Sequence, residues 1–235
     1  MAGSEPHPKA GQPVGLLVDT RSADRPGVIT LRGRFGYLES LKTGHAESLW
    51  QAVRDQDALW TYMYDGPFTH ETAFAAWIAA CATSDDPRFY VILDDKDRAL
   101  GIAALMAIHE TYRVIEVGNI LYAPALQRTP LATEAQYLLA RYVFENLGYR
   151  RYEWKCNALN ASSRRAALRL GFAFEGIFRQ HRIVKGRNRD TAWFSMLDSE
   201  WPTRKASFER WLAPENFTSG GQQKSGLSTI NGVAE

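Results

Sequence analysis

Residues 114–156 limit the fold more than any other stretch. "VIEVGNILY" is a β-rich run, "TPLATEAQYLLARYVFENLG" follows with a 3.6-residue period, and "YRRYEWKC" is strand-like again. Leu131, Ala135, Leu138, Tyr142 and Asn146 fall on one stripe, with Leu139 and Val143 beside it. Gly148 ends the pattern as a glycine just past a helix does. Strand, helix and strand in direct succession predict a parallel crossover.

The flanking sequence supplies antiparallel partners. "RFYVIL", the turn "DDKDR" and "ALGIAALMAI" form a meander with 114–122. "FAFEGIFRQHRIV", "KGRNRD" and "TAWFSMLDSEW" read as a hairpin, and "GVITLRGRFGYLESL" as one strand. "GHAESLWQAV", "HETAFAAWIAACA", "SSRRAALRL" and "TRKASFERWL" have helical spacing. The expected class is α+β: a mixed, mostly antiparallel central sheet with one parallel crossover, flanked by helices. Residues 1–26 are rich in Pro, Gly and polar side chains and read as a flexible tail. Residues 27–213 form the folded domain, and 214–235, with "FTSGGQQKSGLSTINGVAE", form a second flexible tail.

Composition narrows the function. A hydrophobic fraction of 45% is enough for a packed core, and a net charge of +2 does not point to nucleic acid. The two cysteines, Cys81 and Cys156, have no metal-ligand spacing, so neither a metal nor a disulfide framework is expected. No apolar run is long enough for a membrane span, and the N-terminus lacks the apolar core of a secretion signal. The chain reads as cytoplasmic, a monomer or homodimer.

The first turn of the long helix is built with care. Thr129 suits the N-cap, Pro130 the first helical position, and Ala132 and Thr133 keep the turn slim. Helix N-termini attract anions, and Arg128 adds a charged donor. The same residues also begin helices that bind nothing.

"EVGNILYAPALQRTPLATEAQYLL", followed by "NALNASSRRAALRLGFAFEG", resembles the GNAT superfamily of acyl-CoA-dependent N-acetyltransferases, in its ribosomal-protein N-terminal acetyltransferase branch. The likeness covers about residues 27–201. It implies an enzyme that moves an acetyl group from acetyl-CoA to a primary amine by direct attack in a ternary complex. The family's pyrophosphate motif, Gln/Arg-x-x-Gly-x-Gly/Ala, falls on Gln127, Arg128, Thr129, Pro130, Leu131 and Ala132. Pro130 replaces the central glycine and removes one backbone donor. The resemblance assigns pyrophosphate to the N–H groups of Leu131, Ala132 and Thr133 with Arg128. It assigns the pantetheine arm to the backbone near Leu121 and Ala123, with Tyr122 either packed on that arm or simply an edge aromatic.

In the second motif Asn160 bonds the cofactor arm, caps its helix, or both. Many members carry a tyrosine acid where this chain has Ala167. Ser163, placed as in the ribosomal branch, is then the candidate proton donor, unless it only caps the helix. Glu116, Asp65 and Glu175 are candidate bases, with Glu175 more readily structural. Asn119 is placed to orient the amine or the thioester carbonyl. Trp60, Tyr62, Tyr64 and Asp65 form a substrate wall, unless Trp60 and Tyr62 are helix-capping core residues. Arg179, His181, Arg182, Arg187 and Arg189 form a basic cluster suited to an acidic substrate or to the CoA 3′-phosphate, or else a solvated hairpin paired with Asp190. The rival readings are a non-catalytic CoA-binding domain and an RNA-associated protein that uses Arg164, Arg165, Arg169 and the hairpin.

Overall fold

The structure, a computed structural model, describes residues 4–6 and 11–232. Strands β1 (Ser4–Pro6) and β2 (Pro13–Gly15) pair with each other. Eight more form one sheet: β3 (Thr30–Arg32), β4 (Tyr37–Ser40), β5 (Arg88–Leu93), β6 (Ala99–His109), β7 (Val114–Tyr122), β8 (Arg151–Asn157), β9 (Ala173–Val184) and β10 (Arg187–Leu197). Their order is β3-β4-β5-β6-β7-β8-β10-β9. All neighbours are antiparallel except β7 and β8, which are parallel as the crossover requires. The helices are α1 (Ala46–Val53), α2 (Glu71–Thr83), α3 (Pro130–Arg141), α4 (Ala161–Arg169), α5 (Trp201–Leu212) and α6 (Leu227–Ile230).

The middle of the sheet is buried on both faces, so β5 reads as a continuous apolar run rather than an alternating one. Its Tyr90 and Ile92 join the cluster built by α3, α5 and α6, while Phe89, Val91 and Leu93 join that of α1 and α2. The expected single strand at 28–41 is instead the hairpin β3–β4. The buried carboxylate of Glu134 takes the N–H groups of Arg34 (2.6 Å) and Phe35 (2.8 Å) and turns the chain there. On α3 the stripe Leu131, Ala135, Leu138, Leu139, Tyr142 and Val143 is buried as its period predicts. A wider π-helical turn over Tyr142–Asn146 then rotates Asn146 out to solvent. Gly148 takes a left-handed φ of 77°.

Both expected tails depart from expectation. At the N-terminal end, Ala23 is buried, its N–H donates to the carbonyl of Glu110 (3.0 Å), and Arg25 pairs with the Glu110 carboxylate at 2.7 Å. At the other end, Phe217 bridges to Gln223, Trp211 Nε1 donates to Gln223 Oε1 (2.9 Å), and Leu227 on α6 is fully buried. Polar composition hid these anchors. The flanks 1–3, 7–10 and 233–235 of the expected tails lie outside the described residues.

Candidate active site

The site begins where β7 and β8 part. Their pairing runs from Val114↔Arg151 to Val117↔Trp154 and goes no further. Beyond it, β7 carries a bulge against β6, between the pairs Ala104↔Gly118 and Ile102↔Leu121. Asn119 sits in that bulge with φ 48°. A bulge bends its strand and re-aims a side chain, and here it turns β7 away from β8. The result is a cleft of about 1770 Å³ with an unpaired strand edge along one wall.

One end of the cleft is the first turn of α3. Thr129 caps that helix: its hydroxyl accepts from Ala132 N–H (3.2 Å) and donates to the carbonyl of Leu126 (2.7 Å). Pro130 occupies the first helical position. Gln127, Arg128, Thr129, Ala132 and Thr133 line the cleft, whereas Leu131 turns into the core. The cap engages one of the three N–H groups expected to face an anion. Gln127 Nε2 donates to the carbonyl of Tyr122 (2.9 Å), which locks the loop to the strand end.

Leu121 and Tyr122 also line the cleft. Tyr122 is fixed from both sides: its hydroxyl accepts from Gln136 Nε2 (2.6 Å) and donates to the carbonyl of Ala132 (3.4 Å), and burial pushes the phenol well above its ordinary pKa. Gln136 Oε1 is buried with no partner among the described residues, a free acceptor on the cleft wall. Ala123 departs from expectation. It is fully buried and its N–H donates to the carbonyl of Leu100 (2.9 Å), so it serves the β6 side of the strand.

The opposite wall is α4. Asn160 caps it, accepting from Ser163 N–H (3.0 Å). Ser163 is therefore not the cap. Its hydroxyl oxygen accepts from Trp154 Nε1 (2.9 Å), and the side chain lines the cleft with the Cys156 thiol also within its reach. Arg169 reaches back to donate to Thr133 Oγ1 (3.0 Å), closing this end together with Arg165, Trp211, Gln222 and Gln223.

The other end holds the titratable groups. Glu116 is buried, and desolvation raises its carboxyl pKa against the pull of Lys155. Lys155 Nζ bridges Glu116 (2.9 Å) and Glu153 (2.7 Å) and lies 4.1 Å from the Trp193 ring centre. A carboxylate so engaged is a weaker acceptor for a substrate proton than an unpaired one. Glu175 is bound by Arg151 and Ser195 away from the cleft, as its structural reading holds.

His181 is the residue that sequence reasoning placed only in a basic rim. A bulge in β9, with Gln180 at φ 50° and its N–H held by Asp190 (2.7 Å), turns His181 to the cleft. Nδ1 pairs with Thr191 Oγ1 at 3.0 Å. Desolvation, then the nearby Arg182, Arg189 and Lys155, lower its pKa, so the ring is neutral at pH 7. Arg182 and Arg189 line the cleft with it, while Arg179 and Arg187 are exposed and do not.

Tyr62 and Tyr64 line the cleft. Trp60 and Asp65 do not. Trp60 is 3% exposed and packs against Phe68, Trp77 and Phe74 in the core of α1 and α2. Asp65 is exposed outside the cleft and lends its backbone carbonyl to Lys185 Nζ (2.9 Å), which also bonds the carbonyl of Trp60 (2.8 Å).

The family model for the acetyltransferase (GNAT) domain matches residues 37–173. The chain belongs to the GNAT acetyltransferase family. This GNAT chain is similar to the crystal structure of a GCN5-related N-acetyltransferase from Brucella melitensis, with 46% identity, a TM-score of 0.88, and coverage of 91% of this chain and 98% of that one. It is 28% identical over 158 residues to the uncharacterized N-acetyltransferase YnaD of Bacillus subtilis, covering 65% of this chain and 89% of that protein. A ribosomal L7/L12 α-N-protein acetyltransferase, solved with coenzyme A, shares the fold at 18% identity and a TM-score of 0.63, over 72% of this chain and 98% of that one. The GNAT chain is thus an N-acetyltransferase with acetyl-CoA as its acetyl donor. No metal-holding cluster of His, Cys, Asp and Glu occurs among the described residues, and no helix there is long and apolar enough to cross a membrane.

Proposed function

We propose that this cleft acetylates a primary amine by direct transfer, with His181 taking the amine proton and Ser163 returning one to the departing sulfur. The observation that carries the reading is the divergence of β7 from β8 after Val117 and Trp154, which leaves a bare strand edge leading straight to a capped, anion-ready helix turn. That edge suits the amides of the pantetheine arm. Arg128 and the first turn of α3 suit its pyrophosphate, and Gln136 Oε1 is an acceptor still seeking a donor. Bound acetyl-CoA supplies a thioester already activated toward amines.

The chain's own residues then manage position and protons. Asn119, projected by the β7 bulge, and Glu116 face the reaction centre and orient the amine. In the tautomer whose Nδ1–H donates to Thr191 Oγ1, neutral His181 has Nε2 left to accept the proton. Ser163, with Trp154 donating to its oxygen, keeps a hydroxyl proton that can turn to the sulfur. Tyr62 and Tyr64 enclose the acceptor. Positioning supplies much of the acceleration, so neither acid nor base needs an extreme pKa. Thiol release from acetyl-CoA across a panel of amines tests the reading. Tight acetyl-CoA binding by calorimetry with no release for any amine would refute it.

A further inference from the structure

We propose that the acceptor amine also carries an oxyanion, a carboxylate or phosphate, which docks on Arg189 and Arg182. This rests on the acetyl-transfer reading of the same cleft. Arg189 is 7% exposed, and its Nε is buried with no partner among the described residues. None of the ion pairs among those residues includes Arg189 or Arg182. A guanidinium withdrawn from water, with no contact ion pair and an unpartnered Nε, is costly unless a ligand completes it.

The register sharpens the point. Arg182 lies directly across from Arg189 on β9 and β10, and both line the cleft. Like charges placed directly opposite destabilise a sheet, so the hairpin keeps a pair that folding alone would disfavour. The neighbouring acids are committed elsewhere. Glu116 and Glu153 share Lys155. Asp190 accepts from Gln180 N–H (2.7 Å) and Asn188 Nδ2 (3.0 Å). The Arg189 guanidinium carbon lies 5.0 Å from the Tyr64 ring centre, a cation–π contact that helps hold it at the cleft. A planar fork held in this way matches the two oxygens of a carboxylate or phosphate.

The location separates this anion site from the nucleotide end. Arg189 contacts Tyr64, and His181 lies beside it in the register, whereas Arg128, Arg165 and Arg169 share the other end with Thr133 and Trp211. The acceptor is therefore held by two points: its amine near His181 and Glu116, its anion on the arginine pair.

Matched acceptors test this. Amino acids are compared with their carboxamides, and phosphoethanolamine with ethanolamine, by thiol release and, without acetyl-CoA, by thermal shift. The anionic member of at least one pair is expected to lead in kcat/KM by about 10- to 100-fold, the range of a charge-assisted bidentate contact. It is also expected to stabilise the wild type in the thermal shift. Arg189→Gln and, separately, the exposed Arg182→Gln should shrink that lead to a few-fold and remove the thermal shift. Which pair responds tells carboxylate from phosphate. Equal rates for anionic and neutral twins, or a preference that survives both substitutions, overturns the proposal. So does an Arg189→Gln defect in binding CoA that is absent with dephospho-CoA, because the arginine would then serve the cofactor. If no amine is turned over, the acetyl-transfer reading fails, and the thermal-shift comparison still decides the anion site.

Discussion

At the scale of single residues, the proposed proton path rests on two side chains with different legibility. Ser163 stood out because its distance from Asn160 fits a motif, and the structure frees it from the capping role that competed with catalysis. Ser163→Ala is expected to lower turnover by about 10²-fold, the lower end of acid–base contributions because a thiolate leaves readily, with acetyl-CoA affinity by calorimetry nearly unchanged. It also strands the Trp154 indole N–H, so the melting temperature drops modestly. His181 was legible only as one of several basic residues. Its aim depends on a β-bulge and on Asp190, which no local spacing announces. Its pKa lies below the usual imidazole value of about 6.5. The neutral, competent form therefore persists at pH 7 and is lost only as pH falls through that lowered value. His181→Gln should flatten this acidic limb of kcat/KM and reduce the plateau by roughly 10²–10⁴-fold. A wild-type acidic limb that survives in the variant would return the role to Glu116. Glu116 itself looked like a free carboxylate in the sequence, because its partner Lys155 lies on another strand.

At the scale of elements, the crossover was almost entirely readable. Period, cap, proline and terminal glycine all agree over 114–156, and consistency across local signals marks a well-determined segment. Thr129 has two loads in this element: it caps α3 and it ties the turn to Leu126. Thr129→Ala is expected to cost about 0.5–2 kcal/mol in chemical denaturation and to weaken acetyl-CoA binding as the turn frays. A stability loss with unchanged affinity would mean that the anion site is set by Arg128 and the strand edge instead. The hairpin at 30–40 was misread as one strand because the group that turns it, Glu134, is far away on α3. Trp60, which the sequence leaves between a substrate wall and a core contact, and Asp65 resist placement for a related reason. An aromatic-rich loop has the same composition whether it faces a ligand or a core, and here the α1–α2 aromatic cluster captured Trp60.

At the scale of the whole molecule, the C-terminal segment matters most. It lies beyond the residues that the family model matches, yet Gln222, Gln223 and Ser228 line the cleft, at the end proposed for the nucleotide. Its apolar anchors, Phe217 and Leu227, are scattered among glycine, serine and glutamine, so burial there came from tertiary contact that composition does not report. Leu227→Ala is expected to destabilise the fold by about 2–5 kcal/mol, measured by denaturant unfolding, and to raise the Kd for acetyl-CoA more than that for a short acetyl thioester lacking the nucleotide. Equal effects on both would show that the segment supports the fold alone.

Lys185, at the tip of the β9–β10 hairpin, bonds the carbonyls of Trp60 and Asp65, and Tyr62 from that loop donates to the carbonyl of Leu159 between β8 and α4 (3.3 Å). Hairpin, loop and β8 together make a hoop over the acceptor end. A hoop admits a thread by its tip and refuses a rope by its middle. Under the proposed acetyl transfer, a small metabolite or the free terminus of a peptide is expected to pass through it, whereas a lysine midway along a folded surface would have to break the ring first.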